Sequence, residues 1–153
     1  MTPFDHVRAP AVGRAAAVDG SVMPVTTIFT LSVDCGGGGI KASVLDAAGA
    51  IVSRAVRTPT PYPLPPTKLV ETIAGLAEQL PQADRVTVGM PGMIRHGVVI
   101  ATPHYITRDG PRSRILPELV EQWARFDMSE AITARLGIPS LILNDAEVAG
   151  CGV

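Results

Sequence analysis

Apolar runs along this chain change their period from element to element, and breaks rich in proline, glycine and charge separate them. Thr27–Asp34 and Ile40–Asp46 are β-prone and predict two strands. Ile51–Thr58 predicts a third, reached through a turn at Ala48-Gly49. The segment from Pro59 to Pro66 is too rich in proline to join a ladder. Leu69, Val70, Ile73, Leu76, Ala77 and Leu80 then recur at helical spacing, which predicts a helix from Thr67 to Leu80. Arg85–Met90 and Val98–Ala101 read as further strands. Asp127-Met128-Ser129-Glu130 has the form of a capping box with Phe126 as a staple, and Gly137 with Pro139 closes that helix. Pro139–Leu143 is a short buried strand that runs into Asn144-Asp145 and another helix. The order predicts an α/β fold with helices packed on a mixed sheet. Thr102 to Trp123 shows no clear period, and no element is assigned to it.

Three breaks carry candidate chemistry. At the first, Val33-Asp34-Cys35 ends a strand and Gly36, Gly37, Gly38 and Gly39 follow before Ile40-Lys41. Consecutive glycines fit a tight turn or a close approach, and exposed amides in such a turn suit phosphate. Asp34 beside them can hold an accompanying Mg²⁺ through water, and a plain hairpin turn with Asp34 as a turn residue explains the same letters. At the second, Val86–Gly89 runs into Met90-Pro91-Gly92, which an ordinary type II turn also explains. At the third, Asn144-Asp145 stands where a buried strand gives way to a helix, the position at which open α/β sheets place their ligand crevice. Asn144 offers a donor and an acceptor to a polyol, and Asp145 can accept a proton from a hydroxyl. A helix N-cap is the competing reading of the pair.

In this order the three segments resemble the amino-terminal half of the ROK family of sugar kinases. Asp34-Cys35-Gly36-Gly37 matches the family's Asp-x-Gly-Gly-Thr/Ser phosphate motif until Gly38 departs from it. Gly39-Ile40-Lys41 is most similar to the polyphosphate glucokinase branch. Gly89, Pro91 and Gly92 match the sugar loop, and Asn144-Asp145 matches the Asn-Asp pair. The resemblance implies an actin-like (ribonuclease H-like) domain over residues 27–153, with a mixed five-stranded sheet and flanking helices. It implies transfer of a phosphoryl group from polyphosphate or ATP, with Mg²⁺, to the primary hydroxyl of glucose. Asp145 would be the catalytic base, and Asn144, Gly92 and His104 would bind the sugar. Gly36, Gly37, Gly38, Gly39 and Lys41 would bind phosphate, and Asp34 would serve the metal. His104 falls where relatives often show asparagine. Family members carry a second domain with another phosphate loop. The chain is therefore expected to be incomplete, and inactive alone; a non-catalytic remnant or a fragment of a sugar-sensing ROK regulator is the alternative.

Composition narrows the picture further. With 153 residues and a net charge of −1, the chain suits one domain and offers neither a basic face for nucleic acid nor an acidic tail. No run spans a membrane, and the two cysteines, Cys35 and Cys151, fit no disulfide framework, so a cytoplasmic setting is expected. Both are expected to be small apolar fillers. Residues 1–26 read as a disordered extension. Arg108, Arg112 and Arg114 form a basic cluster that suits phosphate or a solvated loop. His96 beside Gly97 reads as a turn residue. Trp123 and Phe126 read as core or as a contact patch for a second domain, and a homodimer is a possible assembly.

Overall fold

The computed structural model describes residues 26–150. The extension expected over residues 1–26 lies outside them except for its last position, and so does Cys151. Seven strands and four helices follow in the order β1 (Thr30–Cys35), β2 (Gly39–Leu45), β3 (Val56–Pro59), α1 (Pro66–Ala77), β4 (Arg85–Met90), β5 (Met93–Arg95), β6 (Val98–Ala101), α2 (Pro117–Trp123), α3 (Met128–Leu136), β7 (Ser140–Asn144) and α4 (Asp145–Gly150). The main sheet is mixed and five-stranded, in the order β3-β2-β1-β4-β7; β5 and β6 form a separate hairpin.

β1 and β2 pair antiparallel, while β1, β4 and β7 run parallel. Parallel neighbours require crossovers, and α1 lies on the connection that carries the chain from the edge strand β3 back to β4 beside β1. The apolar alternation that predicts β1 and β2 points Leu31, Val33, Cys35, Ile40, Ala42 and Val44 into the core. The buried stripe of α1 (Leu69, Val70, Ile73, Ala74 and Leu76) contributes to the same core. α3 packs against α1 and β7. Half of the expected capping box is present at its start, where Asp127 accepts the amide of Glu130 at 2.8 Å, and Gly137 turns left-handed at φ 70° at its end.

Two expectations are corrected. The third strand does not run from Ile51: Ile51 makes only an isolated bridge to Leu45, and the ladder resumes at Val56. The interruption has a visible cause, because the Ser53 hydroxyl takes the amide of Val44 at 2.8 Å, in place of a backbone carbonyl. Pro59, expected outside any ladder, ends β3 opposite Gly39. β3 is the edge strand, where a missing N–H is tolerated.

The segment without period holds α2 and a strap before it. The strap doubles back on itself through a bridge between Thr107 and Ile115 and a bond from the Arg108 amide to the Arg114 carbonyl at 2.9 Å. Trp123 closes α2 as core: it is 2% exposed, and its indole donates to the Leu64 carbonyl at 2.8 Å. Its ring meets Tyr105 at 5.6 Å and Phe126 at 6.0 Å. His96 is a turn residue as read, at φ 50° beside Gly97 at φ 81°; two positive φ values suit the twist of the β5–β6 hairpin.

Candidate functional site

Because β1, β4 and β7 are parallel neighbours, their carboxyl ends lie side by side. Asp34 is in register with Gly89, and Gly89 with Leu143, one residue before Asn144. With strands spaced about 4.8 Å, the three sequence breaks come together across roughly 10 Å of one sheet edge. Residues more than a hundred positions apart in sequence thus share one rim.

On the β7 side, Asn144 does two jobs. Its Oδ1 accepts the Ala146 amide at 2.7 Å, while the Glu147 carboxylate reaches back to the Asn144 amide at 3.1 Å. That is a reciprocal cap on α4, and it places the capping role on Asn144 and not on Asp145. Its Nδ2 donates to the Gly92 carbonyl, which ties the strand end to the Pro91-Gly92 turn. Asp145 is exposed and accepts only the neighbouring Ala146 amide, at 2.8 Å, so most of its acceptor capacity is free. A cavity of about 560 Å³ opens here, lined by Gly92, Met93, Ile94, Ala101, Pro103, Asn144 and Glu147.

On the β1 side, Gly36 to Gly39 close the β1–β2 hairpin, with the Gly36 amide donating to the Gly39 carbonyl at 2.9 Å. The Gly36 carbonyl is held by two hydroxyls, Thr60 at 2.8 Å and Tyr105 at 3.3 Å. Over the turn lies the strap: Pro111 Cγ is 2.7 Å from where a Cβ on Gly37 would stand, and His104 Cδ2 is 3.8 Å from it. His104 therefore sits against the glycine turn, while its neighbour Pro103 lines the cavity at Gly92. The His104 Nδ1 atom is buried without a partner, as is the Tyr62 hydroxyl. Asp34 and Lys41 are exposed and directly opposite each other. Arg108 pairs with Asp109 at 3.3 Å, with both side chains exposed.

Tyr105, Thr60 and Tyr62 belong to this site although the sequence singled none of them out. Tyr105 is fully buried, and burial pushes its phenol well above the usual range. The nearby Cys35, Tyr62, Asp34 and Asp145 add to the shift, which places Tyr105 within electrostatic reach of both carboxylates. Cys35 lies at the foot of the glycine turn, 1% exposed, and burial pushes its thiol up as well, with the Asp34 charge adding to it. It is an inert apolar filler, as expected.

Asp34 is exposed at the strand end beside the glycine turn, so its carboxylate is open to the water shell that a Mg²⁺ ion commonly keeps. Among the described residues no helix is long and apolar enough to cross a membrane.

The chain is similar to known sugar kinases. A glucokinase from Streptomyces coelicolor is 28% identical over 124 residues, which make up 81% of this chain and 35% of that protein. An N-acetylmannosamine kinase from Salmonella typhimurium is 27% identical over 121 residues, 78% of this chain and 37% of its own length. The crystal structure of an inorganic polyphosphate/ATP-glucomannokinase from Arthrobacter superposes with a TM-score of 0.63 at 30% identity. That match covers 81% of this chain and 46% of that one. The chain thus spans less than half the length of the relatives it matches. Its fold is that of the actin-like ROK kinases. The sequence pattern of the ROK family fits residues 30–152, from the first residue of β1 to beyond the last described position, and the chain belongs to that family.

Proposed function

We propose that residues 27–153 form the amino-terminal domain of a sugar kinase that transfers a phosphoryl group from ATP or polyphosphate to the primary hydroxyl of glucose. The observation that carries this reading is the Asn144–Gly92 bond. It ties the strand end to the turn that lines the cavity and gives Asn144 the helix cap, so Asp145 stands exposed next to a cavity-lining residue, on the same rim as the glycine turn. In this reading Asp145 accepts the hydroxyl proton, and Asn144, Gly92 and His104 orient the ring. Gly36 to Gly39 and Lys41 cradle the donor phosphates. Mg²⁺ held by Asp34 through water would neutralise charge on the phosphoryl group. Phosphoryl transfer depends mainly on positioning and charge compensation, which so small a set of groups can supply once a second domain completes the cleft. The relatives named above support the reaction class: two are named as kinases of glucose and of N-acetylmannosamine, and the third as a polyphosphate/ATP-glucomannokinase.

The test replaces the matching amino-terminal portion of the Arthrobacter glucomannokinase with residues 27–153 and measures glucose phosphorylation with Mg²⁺ and either donor. Glucose 6-phosphate formation above a heat-killed control is expected. A folded chimera without turnover on either donor would overturn the assignment.

A further inference from the structure

Arg57 on the edge strand β3 stands directly opposite Lys41 on β2, and Lys41 stands directly opposite Asp34 on β1. Directly opposed residues of antiparallel strands leave the same face of the sheet, with Cβ atoms about 5 Å apart. Two cations in that relation repel and cost stability unless an anion lies between them. None lies between them: Asp34 stands on the far side of Lys41 and makes no ion pair, and among the described residues neither Lys41 nor Arg57 takes part in an ion pair or a side-chain hydrogen bond.

The direction of the Arg57 side chain adds a second observation. Its Nη2 lies 3.8 Å from where a Cβ on Gly39 would stand, so the guanidinium leans along β2 toward the glycine turn. Beside it the turn is open, since a Cβ on Gly38 would meet nothing within 4 Å. A planar guanidinium and an ammonium, with Asp34 the one anion in the row and no ion pair formed among the three, flank an open glycine turn and match a tetrahedral oxyanion with several acceptor oxygens.

We infer that Arg57, together with Lys41, forms an anion subsite beside the glycine turn that holds a phosphate group of the donor adjacent to the one at the turn. The inference rests on the proposed reading of Gly36 to Gly39 as the donor site and adds Arg57 as a residue that sets donor affinity. Its chemistry is shared by a nucleoside triphosphate and by a linear phosphate chain. An anion seated between the two side chains also removes their repulsion, so occupancy and stability rise together.

The 153-residue chain is titrated calorimetrically with tripolyphosphate, with ATP and with inorganic phosphate, and its melting temperature is recorded with and without each. Wild type is expected to bind tripolyphosphate or ATP more tightly than single phosphate and to melt higher when it does; whichever of the two binds tighter identifies the donor type. Arg57→Ala is expected to lose about tenfold or more in affinity, the usual worth of a charge-assisted contact. It should lose most of the thermal shift, and melt without ligand at or slightly above wild type. Arg57→Gln serves if the alanine variant does not fold. Arg95→Ala removes the same charge from a different strand and should leave affinity within about twofold.

Equal binding by wild type and Arg57→Ala would overturn the subsite and leave the donor turn standing. Equal losses in the Arg57 and Arg95 variants would reduce the effect to net charge and overturn it also. If no phosphate compound binds any variant, the subsite is likewise overturned; the sugar kinase reading is judged separately, by turnover of the chimera.

Discussion

Two glycine turns meet at the rim of this sheet, and they use glycine in opposite ways. At Gly92 the residue is obligatory: φ is 131°, and a Cβ would stand 2.2 Å from the Ala101 carbonyl oxygen. No glycine between Gly36 and Gly39 has a φ in the left-handed region. Within that run the demands differ, since Gly37 lies under Pro111 while Gly38 faces open space. Four glycines in a row look more significant in the sequence than one beside a proline. In the folded chain the lone Gly92 is sterically fixed, and Gly38 is free. What distinguishes Gly38 is the missing side chain, at the position where the family motif has threonine or serine.

The largest effect that can break this comparison lies on the sugar side. In the active chimera, Asp145→Asn should lower turnover by about two to four orders of magnitude and change sugar affinity much less. Asn144 already caps α4, so a structural cost is not expected. Turnover within about threefold of the parent would remove Asp145 from the chemistry and reduce the two turns to scaffolding.

Next comes Gly92→Ala, which sets a Cβ against backbone at a φ that L side chains rarely adopt. It should destabilise the chain by about 3 kcal/mol in urea unfolding. A loss below about 1 kcal/mol would show that the turn relaxes freely.

The thiol beneath the glycine turn gives a smaller and pH-dependent handle. Folding raises the Cys35 pKa above its usual 9.0, so the unfolded chain loses this proton first as pH rises. The unfolded state then binds fewer protons, and stability falls with pH. The contribution is fully present below pH 9, and about 1.4 kcal/mol of it is lost by pH 10. Cys35→Ala should flatten that part of a stability profile between pH 8 and 10; an unchanged slope would assign the loss to the tyrosines.

Smallest of all is Gly38→Ala, expected to lie within about 0.5 kcal/mol of wild type or to stabilise slightly by restricting the unfolded chain. A loss above about 1 kcal/mol would contradict the open space described above and make the two turns alike.

Legibility in the sequence followed the range of the interactions. β1, β2, α1, α3 and β7 were readable because alternation, helical spacing, the Asp127 cap and Gly137 are local signals. The third strand reads too long in the sequence because no local signal announces that the Ser53 hydroxyl intercepts the Val44 amide. α2 and the strap were opaque for the same reason. Their order comes from distant partners, such as the Leu64 carbonyl for Trp123 and the Gly36 carbonyl for Tyr105. At the site, the motif residues were visible as letters. The Lys41–Arg57 opposition is a matter of strand register, which exposed charged residues do not advertise.

The Gly36 carbonyl accepts from Thr60 and from Tyr105, residues 24 and 69 positions away. Closing loops of that length costs chain entropy before either contact returns any energy. The hairpin between β1 and β2 can form early from neighbouring residues, but its tip cannot lock until the strap has docked. The floor of the glycine turn is therefore a late event in folding, and its amides should exchange with solvent sooner than those of the strands on either side.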